Sequence, residues 1–198
     1  MKSIPISALL ACGLAASITS HAIASADTTE TLRRGQYLAT VGGCHDCHTP
    51  LKMGTNGPVP DMTKMFSGHP AELTMPPAPD VGKGPWMWAG AATNTAFAGP
   101  WGVTFASNLT ADKATGLGSW RPGDFVKAMR TGKHAGVGRD ILPPMPWRNY
   151  ARMTEMDLRS LFSYLQSVPA MKNPVPQYSP PNVASNAKQN ERVSMAVR

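Results

Sequence analysis

Apolar residues recur at helical spacing in three places along the chain. Over 30–41, ETLRRGQYLATV, Leu32, Leu38 and Val41 fall near one face, and Gly42-Gly43 ends the run. Over 122–131, PGDFVKAMRT, Pro122 suits the first helical position. Phe125, Val126 and Met129 share a face there, and Gly132 stops the helix. Over 154–168, TEMDLRSLFSYLQSV, the stripe is Leu158, Leu161, Phe162 and Leu165. Thr154 reads as its N-cap, with Asp157 three residues on in the manner of a capping box, and Pro169 closes it. Gly35 stands inside the first helix, where glycine costs about 1 kcal/mol relative to alanine. Either another helix approaches closely there or the glycine is merely tolerated.

The stretches between and beyond these helices have a different character. Residues 50–104 hold nine Pro and eight Gly, a density that usually marks irregular chain. Yet Phe66, Trp86, Trp88, Phe97 and Trp101 lie within it and Phe105 just beyond, more aromatic surface than a solvated linker needs. The expectation is an ordered but mostly irregular wrap packed over something apolar, with no strand pattern. From 170 to 198 the chain is polar and Pro-rich, and reads as an extended or disordered tail.

At the start of the chain, Lys2 precedes a short apolar run and ASA at 24–26 forms a small-x-small cleavage site. Residues 1–26 therefore read as an export signal, too short to span a bilayer comfortably. LLAC at 9–12 resembles a lipoprotein box only faintly, so Cys12 is read as part of the leader. The expected domain is 27–169, periplasmic or otherwise exported, with no membrane span after cleavage. The formal net charge of the 198-residue chain is +7. Such a balance suits anionic surfaces, nucleic acid or acidic partner proteins, and export argues against nucleic acid.

Beyond the leader only Cys44 and Cys47 remain. They lie in GGCHDCHTP, 42–50, each followed by a histidine. One close pair staples nothing large, so it requires a chemical reading. Cys-x-x-Cys-His is the attachment signature of a c-type haem: each thiol adds to one porphyrin vinyl group, and His48 places an imidazole on the iron. His45, between the thiols, is expected to point away. A zinc site would want a second Cys or His pair, and only the separate His69 and His134 are available. A thioredoxin-like pair wants an α/β context that the pattern lacks, and a plain disulfide is the remaining alternative.

A second axial ligand is sought on the far face. Met145 stands out among the 12 methionines, in ILPPMPW, 141–147, because the flanking prolines restrict its loop. Met75, in LTMPP, and His134, in TGKHAGVGR, are the runners-up.

The order helix, CxxCH, wrap, helix, Pro-flanked Met, final helix resembles a class I cytochrome c. The blocks GQYLATVGGCHDCHTP (35–50), FAGPWGVTFASNLTADKATGLGSWRPGDFVKAMRTGKH (97–134) and LPPMPW…MTEMDLRSLFSYLQSVP (142–169) are similar to one haem domain of the cytochrome c subunits of bacterial membrane-bound alcohol and gluconate dehydrogenases. The resemblance implies a mainly α fold: a few helices around one covalent haem c, with a long irregular Pro/Gly-rich insertion over 51–96. It also implies that Trp101 and Asn108 lie beside the haem propionates or ring. Those subunits carry three haem motifs and are membrane-associated, whereas this chain has one motif, and residues 51–96 have no counterpart in the pattern.

With His48 and Met145 both on iron, no position is open to substrate, and the expected role is one-electron transfer rather than catalysis. The partners would be redox proteins, such as a periplasmic dehydrogenase or a terminal oxidase. Lys113, Arg121, Lys127, Arg130, Lys133, Arg139, Arg148, Arg152 and Arg159 either ring the haem edge and steer an acidic partner or are dispersed solvated charges. Two alternatives stand beside this reading. One is a subunit docked in a dehydrogenase or oxidase complex through the 51–96 segment, with GPWMW at 84–88 in the interface. The other is a ligand-binding or peroxidatic haem protein, which would need Met145 off the iron.

Overall fold

The computed structural model describes residues 28–81 and 84–181. The export signal, Cys12 and the tail over 182–198 lie outside the described residues. Five helices are present among those described: α1 over 28–41, α2 Cys44–His48, α3 Pro122–Thr131, α4 Trp147–Tyr150 and α5 Glu155–Ser167. None is long and apolar enough to cross a membrane.

The expected stripe of α5 is the centre of the core. Leu158, Leu161, Phe162 and Leu165 are all buried, each contributing on the order of 1.5–3 kcal/mol on burial. The Thr154 side chain accepts a hydrogen bond from the Asp157 amide at 3.1 Å, so it caps the helix as expected. Phe125, Ala128 and Met129 of α3 join the same core, and the Phe125 and Phe162 rings lie 5.5 Å apart.

α1 crosses α5 at Gly35. A Cβ there would overlap the Ser160 carbonyl and sit 2.6 Å from Cβ of Tyr164, so the close approach is the reason for the glycine. Leu38 and Ala39 continue the buried face, but Val41 is 60% exposed, turned off the face that Gly35 and Ala39 share. Arg34 on α1 donates to the Asp157 carboxylate at 2.9 Å. That bond and the Thr154 contacts hold the Asp157 carboxyl below its usual range. The pair is solvent-accessible and adds little to stability.

The expectation of a strandless wrap is corrected. Leu51–Gly54 (β1) and Gly57–Pro60 (β2) form an antiparallel hairpin, and Ala89–Gly90 (β3), Ala96–Gly99 (β4) and Gly102–Phe105 (β5) form a three-stranded antiparallel sheet in that order. β2 accommodates Pro58 and Pro60 because a two-stranded ribbon leaves one edge without ladder bonds. β4 is mostly Ala and Gly, and β4 and β5 are only four residues each, too short for an alternating pattern to stand out. Residues between the sheets remain irregular but packed: Phe66 is fully buried at φ 59°, an unfavourable backbone for a bulky residue. Its amide donates to Thr49 Oγ1 at 3.0 Å and its carbonyl accepts from the Leu109 amide at 2.8 Å.

As far as residue 181 the tail is extended, one of the two states expected for it, and it is docked: Ser179 pairs with Val103 on the open side of β5.

Gly35→Ala is expected to destabilise the protein by about 1–3 kcal/mol, because the added methyl meets backbone that cannot turn aside. Chemical denaturation measures this. Unchanged stability would show that α1 and α5 do not cross at this point.

Candidate functional site

Gly42-Gly43 ends α1 and begins α2. Gly43 has φ 66°, the left-handed turn that lets the chain reverse within two residues. In the single turn that follows, Cys44, Cys47 and His48 stand at i, i+3 and i+4, which places all three on one face. All three line a cavity of about 640 Å³, within the range of about 300–1,000 Å³ for cofactor clefts. His45 is not among its walls. Its ring stacks on Phe66 at 4.0 Å and its Nδ1 meets Thr49 Oγ1 at 3.0 Å.

His48 is buried, and its Nδ1 lies 2.8 Å from the Ser107 carbonyl. A carbonyl only accepts, so Nδ1 carries the proton and Nε2 keeps its lone pair. Burial pushes the imidazole pKa down and the bond to Ser107 opposes that push, so the neutral ring persists. This is the tautomer and the support that a metal-ligating histidine requires.

The two cysteines are not joined to each other. Burial, with Asp46 adding to it, pushes the Cys44 thiol up to about 11, and burial raises Cys47 in the same direction. Neither environment favours a thiolate, in contrast to the lowered values of redox-active Cys-x-x-Cys pairs. Zinc fares no better, since no group of three or more His, Cys, Asp or Glu among the described residues could hold a metal ion. His69, one of the two isolated histidines, is fully buried, and its ring nitrogens are taken up by Thr95 Oγ1 at 2.9 Å and the Leu73 carbonyl at 3.1 Å.

Met145 lines the same cavity as His48, whereas Met75 does not. The Met145 loop is held from two directions: Thr104 of β5 donates to the Pro143 carbonyl at 2.8 Å, and the Trp147 amide donates to the Met145 carbonyl at 2.9 Å. The Tyr150 hydroxyl just beyond donates to the Gly42 carbonyl at 2.6 Å, tying this loop to the turn before Cys44. His134 and Met129 are also cavity walls. The His134 imidazole is pushed down by burial and by Arg139, and its ring stands edge-on to Trp120 at 4.9 Å.

Asn108 is buried and lines the cavity, but its amide serves the protein itself. Oδ1 accepts from the Thr110 amide at 2.9 Å, and Nδ2 donates to the Met171 carbonyl at 2.7 Å and to Thr115 Oγ1 at 3.1 Å. Trp101 is not a cavity wall: its ring folds back over Gly99 in the β4–β5 turn. Its indole N–H is buried without a hydrogen-bond partner among the described residues. Of the nine basic residues over 113–159, Arg139 alone lines the cavity. Lys133 pairs with Asp140 at 2.6 Å, Arg159 pairs with Glu155 at 2.7 Å, Arg130 bonds the Ala151 carbonyl and Arg148 lies over the Trp147 ring.

The residues present suit a c-type haem: two neutral thiols and an oriented imidazole on one helical face, a thioether in the same cavity, and largely aromatic and aliphatic walls. Trp120 and Tyr178 are walls that sequence reasoning did not single out, and Phe97, expected to pack over something apolar, is a wall as well. The Ser107 carbonyl is a backbone group and carries no signal in the sequence.

No family model matches the chain. Curated relatives do. The chain is 29% identical over 133 residues to the gluconate 2-dehydrogenase cytochrome c subunit of Pantoea cypripedii, covering 67% of this chain and 22% of that protein. It is 28% identical over 137 residues to the fructose dehydrogenase cytochrome subunit of Gluconobacter japonicus, covering 69% and 21%. The cytochrome c subunit of the quinone-dependent alcohol dehydrogenase of Gluconobacter oxydans is 27% identical over 159 residues, covering 78% and 26%. The chain thus spans about a fifth to a quarter of the length of these relatives. Over two thirds or more of its own length, the chain resembles part of the cytochrome c subunits of bacterial dehydrogenases.

Proposed function

We propose that this chain is an exported, single-haem c-type cytochrome of class I that carries electrons one at a time between redox proteins. The observation that carries the reading is the convergence of Cys44, Cys47, His48 and Met145 on one cavity, with the free Nε2 of His48 fixed by the Ser107 carbonyl. Cys44 and Cys47 would hold the group through thioethers, and His48 and Met145 would be the residues that ligate it; with both in that role the chain would carry electrons rather than act on substrate. When bound, the haem supplies a ferric–ferrous couple. The domain is 27–169, with the export signal removed, the 51–96 segment as an insertion and the tail following. The location is periplasmic or otherwise exported.

The residues around the cavity set the terms of that exchange. A neutral imidazole hydrogen-bonded at Nδ1 keeps a fixed orientation and a raised basicity. Met145, a soft thioether, favours the reduced state relative to a second histidine. Phe97, Phe125, Leu161 and Leu165 exclude water from the walls, so little solvent has to rearrange when charge changes.

A dehydrogenase is the favoured partner, because the relatives are named as dehydrogenase subunits. A specific observation supports the second reading, a docked subunit. Trp86 is 77% and Met87 66% exposed. Beside them, Trp88 meets Phe97 edge-on at 5.7 Å, and Phe97 is a cavity wall. Size-exclusion chromatography of the native extract separates the two: a docked subunit elutes with a dehydrogenase, a shuttle elutes alone.

Haem is expected to stay with the polypeptide after acid–acetone extraction, with both thiols absent by mass. Haem in the extract together with two unmodified thiols would overturn covalent attachment.

Met145→His is expected to lower the midpoint potential while the iron stays low-spin. Axial ligand choice is one lever on a range of about 0.8 V across haem proteins. Met145→Ala should bind carbon monoxide and lose the weak near-infrared sulfur-to-iron band of the oxidised protein, which Met75→Ala should retain. Retention of that band in Met145→Ala would move the ligand elsewhere.

A further inference from the structure

Resting on the cavity as a haem site, we propose that residues 171–179 form a strap belonging to that site. Asn108 and Asn173 hold it, it shields the haem from water, and it steadies the carbonyl that orients His48.

The strap is anchored at both ends and lies against the cavity between them. At its start, the Met171 amide donates to Thr110 Oγ1 at 3.1 Å and its carbonyl accepts from Asn108 Nδ2 at 2.7 Å. Asn173 is buried and fully used: its amide donates to Thr115 Oγ1 at 3.0 Å and Oδ1 accepts from the Ala71 amide at 3.0 Å. Its Nδ2 donates to the carbonyls of Ser67 at 2.7 Å and His69 at 2.9 Å. At the far end, Ser179 and Val103 exchange two backbone hydrogen bonds at 3.0 and 2.8 Å, and the Tyr178 hydroxyl donates to the Trp101 carbonyl at 2.6 Å. Every residue from Pro174 to Tyr178 lines the cavity.

The composition of the span suits that position. Pro174 and Pro176 fix an extended backbone and bring no N–H groups to an apolar wall. Asparagine anchors supply both donors and acceptors, so the strap's first turn leaves no polar backbone group without a partner at Met171 or Asn173.

Asn108 gives the strap a second effect. It follows Ser107, whose carbonyl holds Nδ1 of His48, and its side chain grips Met171. Loosening the strap therefore removes a restraint on the loop that aims the imidazole. It also admits water to the cavity, and water favours the ferric state, which carries one more positive charge. Both effects act on the potential through known levers, burial and the hydrogen bond behind the axial ligand. Asn108 and Asn173 are positioning residues in this account.

The test uses the full haem-loaded chain. Asn173→Ala breaks the anchor, and Ser179→Pro removes one edge hydrogen bond at the opposite end without touching the core. Three readouts are taken on each: midpoint potential, rate of reduction by ascorbate, and limited proteolysis. The expected result is new cleavage within 171–181, a lower potential and, because ascorbate then reaches the site more directly despite the smaller driving force, reduction roughly threefold faster or more. Should Asn173→Ala fail to accumulate, Ser179→Pro decides. An unchanged potential together with reduction within twofold of wild type, whether or not the strap is cut, would overturn the proposal. A wild type without a haem spectrum would remove the haem reading and this proposal together, so the two failures are distinct.

Discussion

The hydrogen bond from His48 Nδ1 to the Ser107 carbonyl, 2.8 Å long, is the constraint on which the rest of the site depends. It joins the one-turn helix that carries the thiols to a loop 59 residues further along the chain. Without it the imidazole could take either tautomer and turn about its own axis. With it, the lone pair of Nε2 is available on the face shared with Cys44 and Cys47. Burial makes the bond count for more, because a desolvated ring has no water to replace the carbonyl.

Much of the remaining architecture serves to hold those two partners in register. On the His48 side, the Gly68 amide donates to the His48 carbonyl at 2.9 Å, and Thr49 receives the Phe66 amide. On the Ser107 side, the Ala106 amide donates to the Thr95 carbonyl at 2.8 Å and the Ala106 carbonyl accepts from the His69 amide at 2.9 Å. His69, isolated in the sequence from any partner for a metal site, is thus part of the scaffold behind the loop. The helices close the cavity from the other direction: α3 and α5 supply aliphatic and aromatic walls, and the α1–α5 crossing at Gly35 fixes the helix that leads into the motif.

The helices and the thiol–imidazole cluster were legible in the sequence for physical reasons. Amphipathic helices of this length show their buried face as a period, and the α5 stripe matches residue for residue. The attachment chemistry needs two thiols and an imidazole on one helical face, which only a narrow spacing provides. The prolines around Met145 drew attention to it in the sequence, and in the fold it lines the same cavity as His48. Strands were not, because none among the described residues is longer than four residues, β4 is mostly Ala and Gly, and β2 carries two prolines at a ribbon edge. Trp101 was expected beside the haem from resemblance alone. In the fold it occupies a tight turn, Gly99-Pro100-Trp101-Gly102, that carries its ring away from the cavity. Val41 lies about 120° round the helix from Gly35, too far from the buried face to share it. The tail's extended course was among the expected states, but its docking was not legible, because the asparagine contacts that hold it are long-range and leave no signal along the chain.

The pyridine haemochrome spectrum of the purified protein, quantified against polypeptide concentration, tests the central claim most directly. The account predicts a band of c-type position, set by the loss of both vinyl groups to Cys44 and Cys47, at one haem per chain. A band of b-type position, or no haem beside two titratable thiols, would contradict it.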